Sequence, residues 1–268
     1  MKYLESTPGV SVPRLPSCLR RWRKCESPRL RLVCLPWCGA GAGVYRRLVE
    51  LLPPSIDALA VQLPGREDRF GEAPRRRMAD VVDLVVDDLV GQCDLPIAIF
   101  GHSMGAVVAH ELAHALRSRI GREPDLLVVS GHGAATPMRF GPSRWHDASE
   151  DDLLHYISVM GGTPQAVLGD RAMMRALLPT LRADYEVLET YVCARRAPLH
   201  CPLVACAGTD DAAVDAAALG AWRELTTGYS ALHWFEGGHF YLRDAAQPLA
   251  GKLAGWLRTL VRAEVAAT

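Results

Sequence analysis

The chain has 268 residues, of which 49% are hydrophobic, and its 30 basic residues balance its 30 acidic residues. This neutral balance gives no indication of binding to nucleic acid or to an anionic membrane surface, and no apolar run approaches the roughly 18 residues of a membrane span. The N-terminus lacks the apolar stretch of a secretory signal, so we expect a cytoplasmic protein.

Apolar runs bounded by turn residues alternate with helical patterns, which is typical of a parallel sheet built from βαβ units. Residues 14–31 are rich in arginine, which we interpret as part of a solvated arm rather than of a transit peptide. The predicted arm covers residues 1–28, and residues 29–268 form the predicted domain. The predicted strands cover 30–35, 58–63, 97–100, 126–130, 203–208 and 232–235. The predicted helices cover 44–51, 78–90, the stretch after the third strand, and 248–261.

The third predicted strand runs directly into the sequence GHSMG at 101–105, and a helical pattern follows at once. A GxSxG sequence between a strand and a helix is typical of the nucleophile elbow, a turn so tight that glycines must flank the serine. The helix N-terminus favours negative charge that develops there. The pattern predicts Ser103 as the nucleophile of an α/β-hydrolase; the alternative is a structural turn that contains a serine.

The pattern changes between about 136 and 198, where the sequence is helical, contains a Gly161-Gly162 break and has no convincing strand. An insertion before the last two strands can form a lid over an acyl-binding channel. The alternative is a helical subdomain without a gating role. We therefore predict an α/β-hydrolase fold, with a mostly parallel central sheet flanked by helices and a helical lid insertion.

A serine nucleophile needs a base to take its proton and an acid to orient that base. His239 lies in a Gly-Gly loop directly after the last predicted strand, and we predict it as the base. The strand at 203–208 is followed by Thr-Asp-Asp, so Asp210 and Asp211 are both candidates for the acid. Either aspartate can instead cap the next helix.

The oxyanion hole needs two backbone N–H groups. One is expected from Met104, directly after the nucleophile, and the other from the glycine-rich loop 36–43. That loop lacks the lysine and Ser/Thr of a phosphate-binding P-loop, so we set phosphate binding aside.

Two features of the sequence bear on whether the chain binds zinc. The sequence HELAH at 110–114 matches HExxH, but no third ligand follows at metalloprotease spacing, and we interpret His110 and His114 as helix-surface residues. The eight cysteines form no CxxC pair, which favours free thiols in a reducing compartment. We expect no metal and no cofactor.

Several separate stretches resemble the type II thioesterases, the stand-alone editing hydrolases of polyketide and non-ribosomal peptide synthesis. The most specific is VQLPGREDR at 61–69, which is close to the family's PGRxxR signature. The first strand and its glycine-rich loop, GHSMGA at 101–106, the stretches 160–164 and 178–185, and GGHFYL at 237–242 also match. The resemblance covers nearly everything from about Trp22 to the C-terminus.

The resemblance implies a catalytic triad at Ser103, His239 and Asp211, and oxyanion amides at Met104 and Cys38. In one departure, Trp37 stands where the family usually has histidine, and Cys38 where alanine is usual. These two changes imply a site mouth of different shape and polarity, which bears on acyl preference more than on activity.

The substrate implied by the resemblance is an acyl thioester on the phosphopantetheine arm of an acyl or peptidyl carrier protein. Carrier proteins tend to be acidic, so the basic segments 20–24 and 75–77 are candidate docking residues, with ordinary solvated charge as the alternative. Arg66 and Arg69 are expected to brace the loop after the second strand.

Three other functions remain open: a carboxylesterase or lipase, a product-releasing thioesterase, and a non-catalytic binding protein with a hydrolase fold. The triad residues argue against a binding protein. A chain that begins at Met1 and carries no carrier domain favours the stand-alone editing enzyme over a product-releasing domain.

Overall fold

The computed structural model describes residues 17–134 and 144–267. Within them one sheet is formed by β1 (Leu19–Arg20), β2 (Leu30–Leu35), β3 (Ile56–Val61), β4 (Ile97–His102), β5 (Leu126–Ser130), β6 (Leu203–Gly208) and β7 (Ser230–Phe235). The strand order is β1-β3-β2-β4-β5-β6-β7. Only the pairing of β1 with β3 is antiparallel among these strands.

Helices connect the strands and cover both faces of the sheet. They are α1 (Arg46–Leu51), α2 (Met78–Leu89), α3 (Met104–Ile120), α4 (Glu150–Met160), α5 (Gln165–Leu168), α6 (Arg171–Glu189), α7 (Ala216–Gly220), α8 (Tyr241–Asp244) and α9 (Ala246–Ala267). Apolar residues of α2 and α3 pack on one face, and those of α1 and α9 on the other. The predicted architecture, a mostly parallel sheet flanked by helices, is confirmed.

Strand β3 begins two residues before its predicted start because the buried Asp57 is neutralised there. Its carboxylate accepts hydrogen bonds from Arg21 at 2.7 and 2.9 Å and from Arg31 at 3.0 Å. Burial alone would raise the pKa of Asp57, but the two guanidinium groups lower it below its ordinary value. A charged residue can therefore occupy a strand that is buried along its whole length.

Part of the predicted arm belongs to the sheet. Leu19 and Arg20 pair with β3, and Cys18, which is fully buried, accepts a hydrogen bond from the Gln62 amide at 2.7 Å. The expectation of a solvated arm is therefore wrong for residues 18–20, because this segment covers the open edge of β3. Residues 1–16 lie outside the described residues, and the domain boundary at residue 29 stays a prediction.

Helices α4, α5 and α6 form the insertion between β5 and β6, and residues 135–143 lie outside the described residues. The side chains of Ser149 and Asp170 cap α4 and α6, and Gly161 ends α4 with a φ of 74°. These helices share an apolar cluster of their own, formed by Leu153, Ile157, Met174, Leu178, Leu181 and Tyr185. No helix in the described part of the chain is long and apolar enough to cross a membrane.

Candidate active site

Ser103 occupies a strained turn between β4 and α3. Its φ of 55° and ψ of −118° lie in a region that side chains other than glycine rarely adopt, and 7% of the residue is exposed. A Cβ at Gly101 would overlap the Gly105 carbonyl, and one at Gly105 would overlap the carbonyl of Leu35. Both glycines are therefore required by the close approach of three backbone segments.

His239 and Asp211 come together at the carboxyl ends of β6 and β7. The His239 Nδ1 lies 2.9 Å from Asp211 Oδ2, and the other carboxylate oxygen accepts the Ala213 amide at 2.9 Å. Because the carboxylate accepts the Nδ1 proton, the Nε2 of a neutral His239 is left as the basic nitrogen. Asp210 is exposed, and its amide donates to the Gly237 carbonyl at 2.9 Å. The structure thus brings Asp211, and not Asp210, to His239.

Ser103 and His239 line one small cavity of about 30 Å³. Its other lining residues come from the glycine-rich loop, the insertion and the segment after His239: Trp37, Cys38, Tyr156, Met160, Tyr185, Leu188 and Phe240. An adjacent cavity of about 270 Å³ shares five of these residues and is lined mainly by apolar side chains of the insertion, among them Ile157, Val167, Met174 and Leu181. Together, the two cavities can hold a reacting carbonyl and an attached apolar chain.

His102 packs against His239 and hydrogen-bonds within the fold, and it cannot serve as a base. Its Nδ1 lies 2.9 Å from Ser130 Oγ, which in turn lies 2.7 Å from the Tyr241 hydroxyl. Complete burial, followed by the nearby charge of His239, lowers the pKa of His102 well below 6.5. His102 therefore stays neutral and packs beside His239, with 5.1 Å between the ring centroids. Sequence reasoning did not find the roles of Ser130 and Tyr241 because each lies far along the chain from His102.

The glycine-rich loop is held by side chains of residues 61–69, which we call the PGRxxR segment. The Ala42 amide donates to Gln62 Oε1 at 2.6 Å, and the Gly43 amide donates to the Glu67 carboxylate at 3.1 Å. Glu67 has a positive φ of 48°, so the backbone is strained where this carboxylate turns toward the loop. The segment therefore fixes the loop that the sequence predicted as one half of the oxyanion hole.

Two amides have no partner on another residue where the oxyanion hole is expected. Within the described residues, neither the Cys38 amide nor the Met104 amide donates to an acceptor on another residue. The Cys38 thiol does not offer a competing nucleophile, because burial and then the charge of Asp184 raise its pKa well above the ordinary value. The chain's eight cysteines are all free.

Trp37 lies at the junction of the two cavities. Its ring packs edge-on against His102, with centroids 5.6 Å apart, and at a tilt against Phe240 at 5.3 Å. An indole is a large side chain, so a smaller residue at this position would widen the space between the nucleophile and the apolar cavity.

The interpretation of His110 and His114 as helix-surface residues is wrong, since both are buried. Their Nε2 atoms lie 3.2 Å apart, and Arg117 donates to His114 Nδ1 at 2.9 Å.

Three side chains, one of them His110, are a candidate metal site. Potential metal-ligand atoms of His110, Glu111 and Cys193 lie within 4.8 Å of one another. However, Glu111 already accepts from Tyr191 and pairs with Arg196. Guanidinium groups bonded to His114 and to Glu111 oppose the binding of a cation there.

Most arginines of the two basic segments have partners within the fold. Arg20 pairs with Asp68, and Arg23 donates to the carbonyls of residues 52, 53 and 56. Arg76 pairs with Glu186 on α6. The expected bracing by Arg69 is observed, because its guanidinium pairs with Glu72 and donates to the Gln62 carbonyl at 3.1 Å. Segment 20–24 therefore contributes mainly to the fold.

Comparisons with known proteins identify the family of this chain. The family model of the thioesterase domain matches residues 30–257. Thioesterase PikA5 of Streptomyces venezuelae is 38% identical over 84% of this chain and 80% of its own length. The gramicidin S biosynthesis protein GrsT of Aneurinibacillus migulanus is 32% identical over 90% of this chain and 93% of its own length.

The same relationship holds in three dimensions. The structure of the type II thioesterase BorB from the borrelidin biosynthetic cluster matches with a TM-score of 0.79 and 34% identity, covering 90% of this chain and 96% of that chain. The resemblance noted in the sequence is thereby confirmed. The chain belongs to the thioesterase domain family, is similar to its type II members, and is a thioester hydrolase with the α/β-hydrolase fold.

Proposed function

We propose that this thioester hydrolase removes acyl groups from the phosphopantetheine arm of acyl or peptidyl carrier proteins, as a cytoplasmic editing enzyme of polyketide or non-ribosomal peptide synthesis. Ser103, His239 and Asp211 act as nucleophile, base and orienting acid. The observation that carries the proposal is the hydrogen bond between His239 and Asp211 beside a cavity that also contains Ser103.

Acylation begins when His239 Nε2 takes the proton of the Ser103 hydroxyl as its oxygen attacks the thioester carbonyl. The C–O bond forms, and the amides of Met104 and Cys38 bind the developing oxyanion. Each such donor contributes about 3 kcal/mol to lowering the barrier. The C–S bond then breaks, the pantetheine sulfur receives the proton from His239, and the acyl group stays on Ser103.

Deacylation repeats the same chemistry with water. His239 takes a proton from the water as the water oxygen attacks the acyl-serine carbonyl, and it returns that proton to the Ser103 oxygen when the C–O bond breaks. Asp211 stabilises the imidazolium that forms in both steps and holds the ring through Nδ1.

The apolar cavity and the relatives support the carrier-bound acyl substrate. The larger cavity, of about 270 Å³, is lined on one side by apolar side chains of α4, α5 and α6, which suits the insertion to cover an acyl chain. BorB comes from the borrelidin biosynthetic cluster, and GrsT is a gramicidin S biosynthesis protein. A pantetheine arm delivers its acyl group as a thioester, which is the bond that this family hydrolyses.

The test is hydrolysis of matched acyl panels, presented as acyl-carrier-protein thioesters and as simple oxygen esters, by wild type and by Ser103→Ala. We expect faster turnover of the carrier-bound thioesters and its loss in Ser103→Ala. Faster turnover of free esters would instead indicate a carboxylesterase. Full activity in Ser103→Ala would contradict the assignment of the nucleophile.

A further inference from the structure

Three parts of the chain meet at the carboxylate of Asp184, which is 1% exposed and lies on α6. The carboxylate accepts the Gly39 amide at 2.7 Å and a bidentate pair from Arg66 at 2.6 and 2.8 Å. Arg66 also donates to the Ala40 carbonyl at 3.2 Å. The insertion helix, the PGRxxR segment and the glycine-rich loop are thus joined by one buried group, which we call the Asp184 bridge (Gly39, Arg66 and Asp184).

A buried ion pair is weak evidence for stability, because apolar residues of similar volume often serve equally well. A role in orienting the glycine-rich loop explains the Arg66–Asp184 pair better. The Gly39 amide belongs to the rigid peptide unit that joins Cys38 to Gly39, so a hydrogen bond to it holds the unit directly next to the one that carries the Cys38 amide. Gly39 itself has a φ of 75°, and a Cβ there would overlap Leu181 of α6. The loop is therefore pressed against the helix directly beside the expected oxyanion amide.

We propose that Asp184 is a positioning residue that orients the Cys38 amide, so that the oxyanion hole is complete only while α6 is packed on the glycine-rich loop. This inference rests on the proposed function insofar as it takes the Cys38 amide as an oxyanion donor. The insertion then takes part in catalysis, because α6 both lines the larger cavity and sets the geometry of the oxyanion hole.

Thr180 provides a matched control on the same face of α6, one turn earlier. Its hydroxyl donates to the Gly65 carbonyl at 2.6 Å and is buried like Asp184. It therefore anchors α6 to the PGRxxR segment without a polar contact to the glycine-rich loop. Thr180→Val removes that anchor while keeping the shape of the side chain.

The experiment compares Asp184→Asn with Thr180→Val. Asparagine offers one oxygen where three donors converge and points its amide group at one of them. We expect kcat about 10- to 100-fold lower in Asp184→Asn with KM within about threefold, since an oxyanion interaction acts on the transition state. The affinity for an alkyl boronic acid, which forms a tetrahedral adduct with the serine, should fall by a similar factor. Thr180→Val should lower the melting temperature while leaving kcat within about twofold.

Two results would overturn the proposal: a kcat of Asp184→Asn within about twofold of wild type, or equal losses of kcat in both variants. If Asp184→Asn does not fold, the double variant Arg66→Met/Asp184→Leu removes both buried charges together. It should still lose kcat and boronic acid affinity, and wild-type values in it would contradict the proposal. Failure of wild type to hydrolyse carrier thioesters would contradict the proposed function alone, because the boronic acid comparison needs no particular substrate.

Discussion

Asp210 and Asp211 are adjacent in the sequence, yet their environments differ completely. The side chain of Asp211 is inaccessible to solvent and contacts His239, whereas Asp210 is exposed. Sequence spacing left both open because the turn after β6 depends on a contact with a distant segment, the Gly237 carbonyl that accepts the Asp210 amide. The geometry of one backbone turn therefore selects between two identical side chains.

We predict that Asp211→Asn lowers kcat by about a thousandfold or more, because the amide can no longer stabilise the imidazolium and favours the wrong tautomer of His239. Asp210→Asn is the matched control and should keep kcat within about twofold. Steady-state kinetics on a carrier thioester measure both. Comparable losses in the two variants would contradict the assignment of Asp211.

A second prediction concerns Trp37, whose large ring lines both cavities. Replacing it by the smaller histidine should raise kcat/KM for long acyl chains relative to short ones by about tenfold, since the space filled by a few carbon atoms changes selectivity by this order. A series of thioesters from acetyl to octanoyl measures the ratio. Trp22, which is 37% exposed and lies outside both cavities, gives the control Trp22→His with an unchanged ratio.

Helix α3 approaches the sheet so closely at its first turn that its position depends on Gly105. A Cβ there would overlap the Leu35 carbonyl, which belongs to the backbone of β2 and cannot rotate away. In contrast, nothing lies within 4 Å of a Cβ built on Gly251 in α9. The same substitution therefore has opposite expected effects at these two positions.

We predict that Gly105→Ala destabilises the protein by about 3 kcal/mol or more through this overlap and displaces the nucleophile turn. Gly251→Ala should stabilise it by about 0.5–1 kcal/mol, because alanine restricts the unfolded chain and favours the helix. Denaturant unfolding measures both changes. A stabilised Gly105→Ala protein would show that α3 does not approach β2 so closely.

The buried His114 of α3 should make stability depend on pH. Burial, followed by the charge of His110, lowers the pKa of His114 from 6.5 to about 4. Below pH 6.5 the unfolded chain binds a proton at this residue, but the folded chain does not until about pH 4. Because the unfolded chain takes up this proton first, the free energy of unfolding is highest above pH 6.5 and decreases as the pH falls from 6.5 to about 4.

The measurement is the free energy of unfolding of wild type and His114→Asn across that range. Asparagine keeps an acceptor for Arg117 but does not titrate. We expect the difference in stability between wild type and variant to fall by at most about 3 kcal/mol between pH 6.5 and 4. Parallel curves for the two proteins would contradict a lowered pKa at His114.

Elements with uninterrupted apolar sequences were predicted most accurately. The predicted bounds of β5 and β6 coincide with the observed ones, because each is an apolar run that ends at turn residues, and those of β2 coincide as well although Arg31 interrupts its apolar run. The predicted bounds failed where a polar residue is satisfied by a distant partner. Strand β4 extends to His102, whose Nδ1 meets Ser130, and β3 includes Asp57, which two arginines neutralise. Such partners have no signal in the local pattern of hydrophobicity.

For the whole molecule, the sequence predicted the α/β architecture, and the structure brings the predicted Ser103 and His239 to one cavity. Both predictions rest on local signals, a strand followed by a recognisable turn. The Asp184 bridge could not be predicted from residue properties, because Arg66 and Asp184 are 118 positions apart and come from different parts of the fold. Side chains that join separate segments are the part of the site that required the structure.

The small size of the cavity beside Ser103 bears on what happens to the acyl-enzyme. A volume of about 30 Å³ has room for a water molecule, which needs at least about 10–15 Å³, and it favours attack by water over attack by the terminal amine or hydroxyl of a long product that folds back on itself. With α6 packed on the loop, we therefore expect the acyl-enzyme to be cleaved by water, with release of a linear acid rather than a ring. Macrocyclisation would need a wider opening at the boundary formed by Tyr156, Tyr185 and Leu188.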